Sequence, residues 1–164
     1  MFKKGDLVIH HYYGLGTVIN IRKMRVTADE QIYYIIDLAA GERLLIPAKQ
    51  AEHLGLSALV SSEAIIHVLS DAPQSLADDF RLRKTEIDQK MDSGDPLRVA
   101  EVLRDLTWRG HSVKLSGGDD RLRGEARKFL SGLLAARPST DTRSASQRLD
   151  ATLKQAILVR GMPA

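Results

Sequence analysis

Lys4-Gly5-Asp6-Leu7-Val8-Ile9-His10-His11-Tyr12-Tyr13-Gly14-Leu15-Gly16-Thr17-Val18 decides the fold of the first third of the chain. It sets a short apolar strand, a glycine turn and a second strand in immediate succession. Gly5-Asp6 is a turn pair ahead of the apolar run, and Gly14 and Gly16 stand where a chain reaches positive φ or bends sharply between strands. The pattern reads as the first corner of a small β-barrel, with no nucleophile, metal cage or phosphate loop beside it.

Working outward, strand-like runs recur at Leu7 to His10, Gly16 to Arg22, Gln31 to Leu38 and Arg43 to Pro47. Gly14, Ala28-Asp29 and Ala40-Gly41 separate them. Alternation predicts that Val18 and Asn20 share one face while Ile19 and Ile21 point the other way. Five or so such strands within about 55 residues suggest an SH3- or Tudor-like barrel. Pro47, which cannot donate to a ladder, closes the last long strand.

Near residue 60 the apolar period changes from 2 to 3.6. Ser61-Ser62-Glu63 can cap a helix carrying Ile65, Ile66, Val68 and Leu69, broken by Pro73 and Ser75. A second helix is predicted from Leu76 to Met91, ending at Ser93-Gly94. Asp95-Pro96 restarts the chain, with the carboxylate as N-cap and the proline at N1, and Val99, Val102, Leu103 and Leu106 give the inward stripe. Ser116-Gly117-Gly118-Asp119 has capping-box spacing ahead of Leu122, Ala126, Phe129, Leu130, Leu133 and Leu134. Arg137-Pro138-Ser139 is read as the stop, and Ser144 to Val159 as a last helix. The fold class is therefore α+β in two domains, a barrel over 1–58 and an all-α bundle of four or five helices over 61–160.

Composition narrows the chemistry. The 164 residues carry 24 basic and 21 acidic side chains, a net charge of only +3. Any nucleic-acid contact is therefore local and modest in phosphate count. The absence of cysteine excludes disulfides and thiolate chemistry. The start lacks an apolar signal region, and no run approaches the roughly 18 apolar residues of a membrane span, so a cytoplasmic protein is expected. Adjacent His10 and His11 are expected on opposite faces of a strand, while His53, His67 and His111 lie alone; no metal site or other cofactor is expected. Neither a nucleophile elbow nor a phosphate-binding loop is present. The chain is not expected to be an enzyme.

Phe2-Lys3-Lys4-Gly5-Asp6-Leu7-Val8-Ile9-His10, the Gly14-Leu15-Gly16 corner, Tyr33-Tyr34, Ile46-Pro47 and Ala51-Glu52-His53-Leu54-Gly55-Leu56 together resemble the CarD-like bacterial transcription factors, whose N-terminal module is shared with transcription-repair coupling factors. Ser93-Gly94-Asp95-Pro96-Leu97-Arg98-Val99-Ala100-Glu101-Val102-Leu103-Arg104-Asp105-Leu106 resembles the helical half of the same family. The likeness covers roughly residues 2 to 136 and is looser from Pro138 onward.

The resemblance implies a monomer whose barrel docks on the RNA polymerase β subunit by pairing strand edges. Arg22, Lys23, Met24, Arg25 and Val26, with Arg43 and Leu45 on a strand beside them, fall on the matching segments; Met24 and Leu45 stand where some relatives carry arginine. It also implies that the helices touch promoter DNA in the minor groove, with little sequence specificity, at the upstream edge of the unwound −10 region. Relatives place a wedge-like tryptophan where this chain has Phe80. An apolar wedge can prise open a base step, and Arg81, Arg83 and Lys84 would reach adjacent phosphates. Phe80 also shares a helical stripe with Ile87 and Met91, which fits a core position instead. Trp108 is expected to pack one edge of the bundle. A barrel that binds a protein partner without DNA and an uncatalogued hydrolase are the other function classes.

Overall fold

The computed structural model describes residues 1–136 and 140–161, so the stop expected at Arg137-Pro138-Ser139 lies outside the described residues. The chain divides into two compact units, Met1–Leu59 and Val60–Ala164.

The first unit is an antiparallel sheet of β1 (Leu7–His10), β2 (Gly14–Met24), β3 (Gln31–Leu38), β4 (Arg43–Pro47) and β5 (Leu56–Ala58), in the order β4-β3-β2-β1-β5. Gly14 takes φ of 80° at the β1–β2 turn. At Gly16 a Cβ would lie 2.6 Å from Cγ2 of Ile36, so only glycine lets β2 approach β3 there. Val8, Val18, Tyr34, Ile36, Ile46 and Leu56 form the core. Phe2 closes one end, its ring edge-on to Tyr34 at 5.4 Å and its N–H on the Tyr34 hydroxyl.

Two details depart from strict strand periodicity. The β2–β3 register shifts between Val18 and Asn20, a bulge that resets the alternation, so Ile21 joins Val18 against the core instead of facing away from it. His10 ends β1, and His11 belongs to the turn. The alternation therefore does not reach His11, and the two imidazoles stack at 4.9 Å rather than pointing to opposite faces.

His10 fastens that turn. Its Nδ1 accepts from the N–H groups of Tyr12 and Tyr13 at 3.0 and 3.1 Å, which only the neutral ring can do. Burial first, and the neighbouring His11 second, hold its pKa below the usual 6.5. The unfolded chain thus binds this proton more readily, and stability rises with pH. The contribution is complete above about pH 6.5 and is lost as pH falls through the folded value. All four tyrosines lie in this unit and the one tryptophan in the other, so tyrosine signals report on it separately. Tyrosine-monitored melting is expected several degrees lower at pH 5 than at pH 7.5, with about 1 kcal/mol at stake per turn hydrogen bond. His10→Asn keeps an acceptor without titrating and should shrink the difference; an unchanged difference would place the titrating group elsewhere.

The second unit holds α1 (Ser62–Ser70), α2 (Phe80–Asp92), α3 (Pro96–Ser112), α4 (Gly117–Ala135) and α5 (Thr142–Arg160). Their N-caps are Ser61, Asp79, Asp95, Ser116 and Asp141, each accepting a backbone N–H from the first turn of its helix. Helix α2 begins at Phe80 rather than Leu76. Asp79 caps it, and the carbonyls of Ala77 and Asp78 bond to the Arg83 side chain instead of continuing a helix. Ile65, Leu69, Ile87, Leu103, Leu130 and Leu149 centre the core. Among the described residues no helix is long and apolar enough to cross a membrane, and no group of three or more metal-ligating side chains converges.

Candidate polymerase and DNA interfaces

In the first unit, β3 lies between β2 and β4, so the two strands carrying the sequence-derived docking residues are not neighbours. Register nevertheless brings several of those residues to one face. Directly opposed residues of an antiparallel pair share a face, which gives the rows Arg22–Tyr33–Pro47, Asn20–Ile35–Leu45 and Thr17–Asp37–Arg43, with Met24 opposite Gln31. This is the face turned away from Tyr34 and Ile36. Arg22, Met24, Arg43 and Leu45 therefore look the same way, and Leu45 is 45% exposed.

The remaining docking candidates lie elsewhere. Lys23 sits opposite Ile32 on the other face and pairs with Glu30 at 3.1 Å. Arg25 and Val26 lie beyond the end of β2, because the strand stops at Met24. Arg43 is held by its cross-strand neighbour Asp37 at 2.7 and 3.3 Å. That hydrogen bond, and then the carboxylate charge, raises its pKa further.

Strand β4 is an open edge of the sheet. The N–H of Leu38 bonds the carbonyl of Glu42 at 2.8 Å, and from that pair the alternation of the ladder turns Leu44 and Ile46 toward β3. The backbone groups of Arg43 and Leu45 then point outward. A free donor and acceptor row flanked by an exposed leucine is the chemistry that an added strand uses.

In the second unit, Phe80 opens α2 with its side chain 46% exposed, so the inward stripe of that helix is Arg83 and Ile87 rather than Phe80. The ring lies over Gly118, where a Cβ would sit 3.6 Å from its Cε2 and Cζ. The Arg83 guanidinium stands 5.6 Å from the ring centroid. Arg81 and Leu82 beside it are exposed, and the Arg81 side chain has no partner among the described residues.

Arg83 does not reach the surface. It is 5% exposed and Asp119 is 1% exposed. Its Nε donates to Oδ2 of Asp119 at 3.0 Å, Nη2 stands 3.0 Å from the same oxygen in the ion pair, and Nη1 donates to the carbonyls of Ala77 and Asp78 at 2.9 Å. Asp119 lies in the first turn of α4, where the helix dipole favours its negative charge. Lys84 is exposed and pairs with Asp88. Trp108 is half-buried and lines a cavity of about 280 Å³ under the Pro73–Leu76 segment.

Sequence reasoning missed Asp119 and Gly118 as members of this site. Both belong to the cap motif of α4, and the contact of Asp119 with Arg83 of α2 spans 36 residues, so no local signal joins them to Phe80.

Comparison with protein families fits both units. The CarD-like/TRCF RID domain matches residues 2–60, and the CarD C-terminal domain matches residues 64–150, more than half of the chain by itself. The two matches follow one another along the chain and fall on the sheet and on the helices respectively. The chain belongs to the CarD-like family of RNA polymerase-interacting transcription regulators.

Proposed function

We propose that the first unit pairs the open edge of β4 with a strand of the RNA polymerase β subunit, and that the second presents Phe80 to the minor groove of promoter DNA at the upstream edge of the unwound −10 region, altering the lifetime of the open complex. Docking draws on the outward backbone groups of Arg43 and Leu45, with Arg22, Met24 and Leu45 forming the adjoining face. Lys23, Arg25 and Val26 flank the ribbon and contribute charge and apolar surface near its tip. Arg81 and Lys84 neutralise phosphates beside the wedge. Arg83 orients Phe80 from below instead of touching DNA.

The observation that carries this reading is the exposed Phe80 ring, seated on Gly118 and braced by a buried ion pair. A flat apolar group held rigidly at a helix start is suited to entering a destacked base step. An aromatic ring left half in water with this much support beneath it has no evident packing purpose. The same chain would act without catalysis, through binding alone, in a cytoplasmic setting and as a monomer.

Phe80→Ala is expected to cost less than about 1 kcal/mol of stability, as for an exposed site, and to shorten the open-complex lifetime on a promoter. Phe80→Trp should preserve or lengthen it, since the larger ring stacks over more area. A protein adaptor that ignores DNA predicts no change in lifetime for either variant. Trp108 fluorescence melting and a competitor-challenged promoter assay separate the outcomes.

A further inference from the structure

The second unit holds a cavity that neither proposed interface uses. It is open to solvent, about 670 Å³ in volume, and lies between α3, α4 and α5. Leu103, Leu153 and Ile157 make its floor, and Leu158 stands on the lip 49% exposed. At Gly124 a Cβ would meet nothing within 4 Å, so α4 offers bare backbone to the space.

The rim has an uncompensated sign. Its two carboxylates are already taken: Arg127 holds Asp150 through bonds of 2.9 and 2.7 Å, and Arg123 holds Asp120. Lys154 and His111, also on the rim, have no partner among the described residues. A group entering the cavity therefore meets a free ammonium and no free carboxylate. Electrostatic complementarity selects an anion at the mouth, while the leucine and isoleucine floor selects an aliphatic body.

Dimensions narrow the occupant. The lining runs along α4 from Asp120 to Arg127 and along α5 from Asp150 to Leu158, about 12 Å at 1.5 Å per residue. The volume lies within the range of small-ligand sites, roughly 300 to 1,000 Å³.

We propose that this cavity binds an anionic amphiphile, a carboxylate on a single aliphatic chain, with the chain along Leu103, Leu153 and Ile157 and the carboxylate at Lys154. A regulator so equipped would sense acyl-chain supply through its helical unit, apart from Phe80 and from the β4 edge.

The test is calorimetric titration of laurate, held below its micellar range, into the full chain, with dodecylamine as the cationic control of equal length. Saturable one-site binding of laurate is expected, at least tenfold tighter than dodecylamine. Lys154→Glu, on an exposed position, should weaken laurate at least tenfold. Gly124→Leu should abolish binding without lowering the melting temperature followed by Trp108, since leucine also favours the helix. No saturable binding, equal binding of the two amphiphiles, or undiminished binding by Gly124→Leu would each overturn the proposal. So would saturable binding of an acidic amphipathic peptide by a chain that ignores laurate, because the groove would then be a protein-docking surface.

Discussion

Asp119→Ala is expected to destabilise the helical unit by about 3 to 5 kcal/mol, the range for stranding one member of a buried ion pair. The partner left behind is Arg83, 5% exposed, whose guanidinium donates from Nε to Asp119, holds Nη2 against the same carboxylate oxygen, and donates from Nη1 to the carbonyls of Ala77 and Asp78. Removing the carboxylate leaves a buried cation with two backbone carbonyls but no counter-charge to offset its lost hydration. The melting temperature followed by Trp108 should fall by on the order of 10 °C or more for a unit of this size. Arg83→Ala should be similarly costly, and the double variant should lose much less than the two single losses combined, because neither charge is then orphaned. A loss under about 1 kcal/mol for Asp119→Ala would mean that the pair does not carry the α2–α4 junction. Where Asp119→Ala remains folded at low temperature, its open-complex effect should resemble that of Phe80→Ala, since the ring loses its brace.

Leu45→Pro is expected to reduce polymerase binding at least tenfold, equivalent to about 1.4 kcal/mol, while leaving the first unit folded. Proline is tolerated at a sheet edge where the missing N–H faced away from the ladder, and the N–H of Leu45 does so on the open side of β4. Leu44→Pro makes the contrast. Its N–H points to β3 opposite Ile36, so that variant should lose the native tyrosine signal along with binding. A pull-down on polymerase, read beside the tyrosine spectrum, decides. If Leu45→Pro binds like the parent with a native spectrum, docking does not run through the β4 edge, although the family-level interaction with polymerase stands. Reversing Arg43 is a poorer probe, since it also strands Asp37.

Alternating Val, Ile, Tyr and Leu marked four of the five strands within a few residues of their ends. β5, Leu56-Ser57-Ala58, is too short to carry a period; it exists because β1 offers an edge to it. The bulge at Val18–Asn20 was invisible for a related reason. Unbroken alternation is the default reading, and the extra residue is absorbed only against β3. Caps read well because Asp95, Ser116 and Ser61 act within their own first turns. Arg83 read wrongly because a charged residue beside Arg81 and Lys84 suggests a solvated face, and the carboxylate that draws it inward is 36 residues away. Phe80 was left between core and surface by sequence, since helical phase alone cannot tell the rim of a buried stripe from its centre.

Helix α1 packs against α3 and α5, and Arg160 near the end of α5 donates to the carbonyl of Ser70 at 3.2 Å, a separation of 90 residues. This sets the order in which the chain becomes usable during synthesis. The sheet is complete once Ala58 has left the ribosome, while Ile65 and Leu69 must wait for α5. At about 5 to 20 residues per second that delay is roughly 5 to 20 s, with the α5 side of the α1 stripe uncovered throughout. A nascent chain paused before Leu149 would thus carry a finished polymerase-docking unit joined to an open, adhesive helix, and early termination there would release a competitor for polymerase instead of an inert fragment.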